Sequence, residues 1–247
     1  MQIMNHGAHL SYDRLIYGFE ASPGISPGAA VVALFRRAPW TKTAAELVYA
    51  GLLIFPTLYH AWALWQGRAE KNNLMHRFVI AGLCGFVFYQ VCPAMGPLYA
   101  FPSQFPDHLP ASVSLDAFSS TGVNNAMPSM HMSWALLVWF GALELGAAAI
   151  GLATAVVGFT ALATVGFGEH YLIDLVVALP VVAATVGLYR RHVPMAAAGC
   201  AMVFGWTFYL RSAAWLHVPA LANWVLIAVT VAATVILMFT APRSSRN

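Results

Sequence analysis

This sequence has little charge. Of its 247 residues, 9% are charged and 60% are hydrophobic. A soluble domain carries roughly 25% charged residues and needs them to keep its surface wet; a chain this poor in charge matches lipid as its solvent. Cysteine is scarce too, at three residues. Cys84, Cys92 and Cys200 lie in or beside apolar runs without CxxC spacing, which reads as packed free thiols and assigns no metal or redox role. There is no Pro/Ser/Gly linker, charge block or internal repeat, so one domain is expected. The net charge of +3 is too small and scattered for a nucleic-acid footprint. A cleavable signal is not expected either, since residues 1–24 carry His6, His9, Asp13, Arg14 and Glu20 with no apolar h-region.

What the sequence has in abundance is apolar runs close to the ~20 residues a bilayer needs. They cover residues 43–65, 76–95, 129–145, 147–167, 170–189, 194–210 and 221–240. The fold expected is therefore all-α: a polytopic transmembrane helix bundle of about seven spans, with six as the alternative count. The third and fourth runs abut, predicting a tight helical hairpin around Gly141, Gly146 and Gly151. Residues 1–42 hold no full span and read as an interfacial or re-entrant segment ahead of a transmembrane unit over 43–247. Residues 96–127 form a long proline-rich loop without a single Lys or Arg, read as a functional lid or floor. Basic residues after the first, fifth and seventh runs (Arg68, Lys71, Arg77, Arg190, Arg191, Arg243 and Arg246) place that loop on the non-cytoplasmic side.

Against this background two polar segments stand out: Asn124–Trp134, containing Pro128-Ser129-Met130-His131, and Gly166–Asp174, containing His170-Tyr171-Leu172-Ile173-Asp174. Ionisable groups at the edges of membrane helices mark function. The third run starts and the fifth run starts on the same side of the membrane, so topology brings both segments and the 96–127 loop together. His170 and Asp174, spaced i,i+4, are expected on one helix face. A carboxylate holding one imidazole nitrogen leaves the other as nucleophile or base. Pro128 suits a helix start and Ser129 can cap that helix or bind an anion, beside the free N–H groups of the helix end. The parts suggest attack on a phosphate: His170 as nucleophile, Asp174 orienting it, His131 as general acid, and Ser129 with nearby backbone holding the oxyanion. His131, His170 and Asp174 are also acceptable Zn²⁺ ligands, so a metal site is the competing reading. A transporter fits less well, because the ionisable residues cluster at one helix edge instead of tracking through the midplane. A non-catalytic lipid-binding protein is the third reading.

At these residues the chain resembles the type 2 phosphatidic acid phosphatase (PAP2) superfamily, most closely its inositol phosphorylceramide synthase-like branch. Pro128-Ser129-Met130-His131 and His170-Tyr171-Leu172-Ile173-Asp174 match two family motifs, and Cys92-Pro93-Ala94-Met95-Gly96-Pro97 looks like the branch's first. The resemblance is best over about residues 80–180. It implies phosphoryl transfer through a phosphohistidine without metal or cofactor, from a membrane lipid or polyprenyl phosphate to water or an alcohol. His170 would again be nucleophile, Asp174 its partner and His131 the acid. The sequence departs from the superfamily in its basic residues: 96–127 has none, and Ala163 and Thr164 stand where a Ser-Arg pair is usual. A phosphate still needs positive charge in its transition state; the candidates on the same side are Arg211, which is favoured, and Arg36, Arg37 or Lys42. Glu169 beside His170, Asn125, and Asp107 and His108 in the loop are candidates for headgroup or lid contacts.

Overall fold

The computed structural model describes residues 9–22, 24, 26–68, 73–107, 109–110 and 112–240; His108, Lys71, Arg243 and Arg246 lie outside the described residues. The chain enters through a short strand, β1 (His9–Ser11), and the helix α1 (Asp13–Ala21). Helices α2 (Pro27–Arg37), α3 (Pro39–Ala50), α4 (Ile54–Trp65) and α5 (Leu74–Val91) follow. A four-residue helix, α6 (Pro97–Ala100), and a strand, β2 (Phe118–Ser120), lie in the loop before α7 (Met130–Ala142). The chain then runs through α8 (Ala147–Gly166), α9 (Leu172–Arg190), α10 (Val193–Arg211) and α11 (Ala220–Thr240). The all-α bundle is as expected. Among the described residues five helices are long and apolar enough to cross a membrane, and six spans result if the bent pair α3–α4 counts as one.

That bend is a departure from the sequence reading. The run 43–65 is not one straight span: α3 and α4 meet at 70°. Gly51 ends the first piece. Pro56 sits in the first turn of the second, where it has no N–H to donate and its ring crowds the carbonyl four residues back. The third run also shortens, to the 13 residues of α7. Its N-cap is Ser129, whose hydroxyl accepts from the Met132 amide at 3.3 Å, so Pro128 precedes the helix and does not open it. The α7–α8 hairpin forms as expected, with Gly146 at φ +103° in its turn, a conformation that favours glycine.

Helix α9 is the hub. It packs against α5, α7, α10 and α11, and Val177, Ala178, Val181, Val182, Ala183 and Ala184 are buried. Its contact with α10 is backbone-close: a Cβ on Gly187 would meet the Ala196 backbone, and one on Gly199 would meet the Ala184 backbone. Small residues that let backbones approach are how helices associate where lipid supplies no hydrophobic drive.

The N-terminal segment closes one end of the bundle. β1 pairs antiparallel with β2, His9 opposite Ser120 and Ser11 opposite Phe118, which ties the chain's start to the 96–127 loop. Helix α1 buries Leu15, Ile16, Tyr17 and Phe19. Tyr17 stacks on Phe101, and Phe19 lies edge-on to Trp206 and Trp215.

Candidate active site

His131 and His170 converge at the end of the bundle that α1 and the loop cover. His170 sits in the turn between α8 and α9, with its amide and that of Glu169 both donating to the Thr164 carbonyl at 3.0 Å. This turn corrects the helix-face reading: α9 begins at Leu172, and His170 precedes it. Asp174 does not reach up a helix face. Its Oδ2 accepts from the otherwise unpaired Tyr171 amide at 2.8 Å, the reciprocal half of a helix cap. The same Oδ2 lies 3.6 Å from His170 Nδ1. The close partner of Nδ1 is the Ala126 carbonyl, at 2.8 Å. A carbonyl only accepts, so Nδ1 carries the proton and Nε2 presents its lone pair. Nε2 faces His131 Nδ1 across 3.5 Å.

The surroundings favour a neutral nucleophile. His170 is 4% exposed, and burial pushes its imidazole down to about 4, against the Ala126 carbonyl and Glu169, which pull it up. His131 is clamped from its other side by Tyr49, stacked at 4.4 Å between ring centroids, with Trp134 at its edge. Asp174 faces one nitrogen of His170 and His131 the other, so the three cannot converge on one ion through a single imidazole nitrogen. Among the described residues no group of three His, Cys, Asp or Glu side chains forms a metal-ligand set.

The remaining sequence candidates are scattered around this pair. Ser129 is fully buried and serves as the α7 cap. Glu169 accepts from the Tyr99 hydroxyl at 2.8 Å. It lines, with Asn125, Tyr99, Ser119, Ser120 and Thr121, a cavity of about 760 Å³ formed largely by the loop itself. Asp107 contributes its backbone carbonyl to the Tyr17 hydroxyl. Arg211 donates to the Val91 carbonyl and lies over the Tyr12 ring at 4.7 Å.

The sequence reading missed two carboxylates from α1. Asp13 is completely buried and accepts from the Met95 and Gly96 amides, the Tyr171 hydroxyl and the Ser11 hydroxyl. Burial pushes its carboxyl up from the usual range, and those donors pull it back. Glu20 accepts from the Ile173 amide at 2.8 Å, on the open N-terminus of α9. Burial pushes this carboxyl up to about 8. Their signal was present: acids in a chain that tolerates so few of them. Tyr49 and the Ala126 carbonyl left no such signal.

A model of the PAP2 superfamily matches residues 14–188, from within α1 almost to the end of α9. The match covers well over half of the chain, so the protein belongs to the PAP2 superfamily. Membership supports a phosphatase or phosphotransferase activity in general terms. No curated protein and no solved structure matches the chain.

Proposed function

We propose that this protein transfers a phosphoryl group from a membrane lipid or polyprenyl phosphate, through a covalent phosphohistidine on His170 Nε2, to water or an alcohol. The observation that carries the reading is the pair itself: Nδ1 of His170 is engaged by the Ala126 carbonyl while Nε2 faces His131 across 3.5 Å. In the first step the Nε2 lone pair attacks phosphorus, the phosphorus–oxygen bond to the leaving alcohol breaks, and His131 gives that oxygen a proton. The Ala126 carbonyl and the Asp174 Oδ2, 3.6 Å away, are the oxygens that favour the positive charge developing on His170. In the second step water or an alcohol attacks phosphorus, His131 takes its proton, and the nitrogen–phosphorus bond breaks. The 3.5 Å gap is too narrow for phosphorus, so substrate entry parts the two rings. The positive end of the α7 dipole, in whose first turn His131 lies, is the anion-favouring element beside them.

The bilayer-embedded bundle suits a substrate whose tails stay in lipid. The cavity beside Glu169 and Asn125 offers hydroxyl and amide groups to a headgroup or an acceptor alcohol, an arrangement consistent with an inositol phosphorylceramide synthase-like branch. The absence of Lys and Arg from residues 96–127 supports placing this face outside the cytoplasm.

The test uses purified protein with phosphatidic acid, a polyprenyl phosphate and a phospholipid diester, with and without chelator. The expected result is free phosphate or a new phosphodiester, insensitive to chelator and absent from His170→Ala. Equal turnover by wild type and His170→Ala refutes the mechanism, and chelator-sensitive turnover favours a metal site.

A further inference from the structure

Asp13 lies at a junction of three stretches of chain. Its Oδ1 accepts from the Gly96 amide at 2.9 Å and the Tyr171 hydroxyl at 2.6 Å. Its Oδ2 accepts from the Met95 amide at 3.0 Å and from the Ser11 hydroxyl. All four neighbours are donors, the pattern an acceptor-only carboxylate satisfies. The side chain has no exposure to solvent, so each donor would be costly to leave unpaired.

Two routes lead from this carboxylate to His170. The first runs through the 92–96 turn. The Ala94 carbonyl accepts from the Ala126 amide at 2.9 Å, and the Ala126 carbonyl accepts from His170 Nδ1 at 2.8 Å. The same turn lies directly on the backbone that precedes His170. Gly96 sits at φ +94° with no room for a Cβ against the Glu169 carbonyl, and the Leu98 amide donates to the Gly168 carbonyl at 3.0 Å. The second route is Tyr171, the next residue after His170, anchored by its hydroxyl. Asp13 thus holds the peptide that fixes the imidazole's tautomer and the residues on either side of that imidazole.

We infer that Asp13 is a positioning residue for His170: it holds the 92–96 turn and Tyr171 in the one arrangement that keeps Nδ1 on the Ala126 carbonyl and aims Nε2 at His131. The N-terminal segment is then part of the machinery of the site. The inference rests on His170 as the group that accepts the phosphoryl, and its test has a readout that does not depend on turnover.

Full-length protein carrying ¹⁵N-imidazole histidine is compared as wild type, Asp13→Asn, Tyr171→Phe and the double variant. The His170 signals are identified by their loss in His170→Ala. Wild type is expected to show His170 with the proton on Nδ1. Asp13→Asn keeps the shape of the side chain but turns donors toward donors, and is expected to shift or split those signals. On the lipid phosphate that His170→Ala fails to turn over, it is expected to lower kcat by roughly 100-fold with KM nearly constant. Tyr171→Phe removes one hydroxyl and keeps the test alive should Asp13→Asn not fold; it is expected to perturb the same signals more weakly. The double variant is expected to be no worse than Asp13→Asn, the non-additivity of groups acting through one contact. His170 signals and kcat unchanged in both single variants, with only the melting temperature lowered, overturn the inference. Moved signals in a protein whose wild type turns over no lipid phosphate leave the positioning role standing and defeat the phosphoryl-transfer reading instead.

Discussion

Helices α9 and α11 look alike as sequence and behave as opposites in the fold. Both are about one bilayer long, with mean hydropathy 2.1 and 2.2, yet 78% of the α9 span is buried within the protein and 22% of the α11 span. Hydropathy measures distaste for water and does not separate protein from lipid as the alternative solvent. What separates these helices is at their ends and in their smallest residues. α9 begins under three carboxyl groups, those of Asp174, Glu20 and Asp13, and meets α10 at Gly187 and Gly199. α11 presents Leu221, Val225, Val229, Ile236 and Phe239 outward.

The contrast is broken most severely at the start of α9. His170→Ala should reduce phosphoryl transfer by at least about 10³-fold, as loss of a nucleophile does, while circular dichroism and size-exclusion behaviour stay as in wild type. Next comes the α9–α10 seam. Gly199→Val drives methyl groups into the Ala184 and Pro180 backbone and should destabilise the protein by about 1–3 kcal/mol, the scale of overpacking, read as a lower melting temperature in detergent.

A third effect appears on acidification. His170 is held neutral down to about pH 4, well below its ordinary value of 6.5. Between those two values the unfolded chain binds a proton that the folded one does not, so stability rises with pH across this window. Lowering the pH from 6.5 to 4 should therefore cost roughly 3 kcal/mol from this group, and activity should fall along a limb near pH 4 as Nε2 is protonated. A melting-temperature series from pH 4 to 7, compared with His170→Ala, isolates this contribution.

Glu20 works in the opposite sense. Its raised value of about 8 means that the folded chain keeps a proton which the unfolded chain releases above its ordinary 4.5. Stability from this group is therefore greatest below 4.5 and is lost as pH rises through 8. Glu20→Gln, which resembles the protonated acid and retains an acceptor for Ile173, should hold or raise the melting temperature at pH 8 and flatten its pH dependence. The smallest effect belongs to the lipid face: Val229, 55% exposed on α11, should tolerate Leu within about 0.5 kcal/mol.

Much of this was legible in the sequence, for a physical reason. A chain in lipid cannot carry idle charge, so His131, His170 and Asp174 announced themselves, and alternation of spans placed them at one end. The limits were equally physical. The bend at Gly51 and Pro56 is local backbone chemistry inside a continuous apolar run, which hydropathy averages away. The partner of His170 Nδ1 is a main-chain carbonyl, and a carbonyl has no sequence signature. The i,i+4 spacing of His170 and Asp174 suggested a shared helix face, but the helix starts later because Asp174 is drawn to the open Tyr171 amide. Asp13 and Glu20 obey the same rule as the histidines, but they lie in a segment without a span, which the sequence marks only as interfacial or re-entrant and to which it attaches no site motif.

The central claim is that His170 Nε2 forms the bond to phosphorus. Wild-type protein quenched in alkali during turnover of a ³²P-labelled lipid phosphate, then digested and mapped, should carry label on the His170 peptide as the Nε2 isomer, because Nδ1 is occupied by the Ala126 carbonyl. Label on Nδ1, label on His131, or turnover without any protein-bound phosphate would contradict the account.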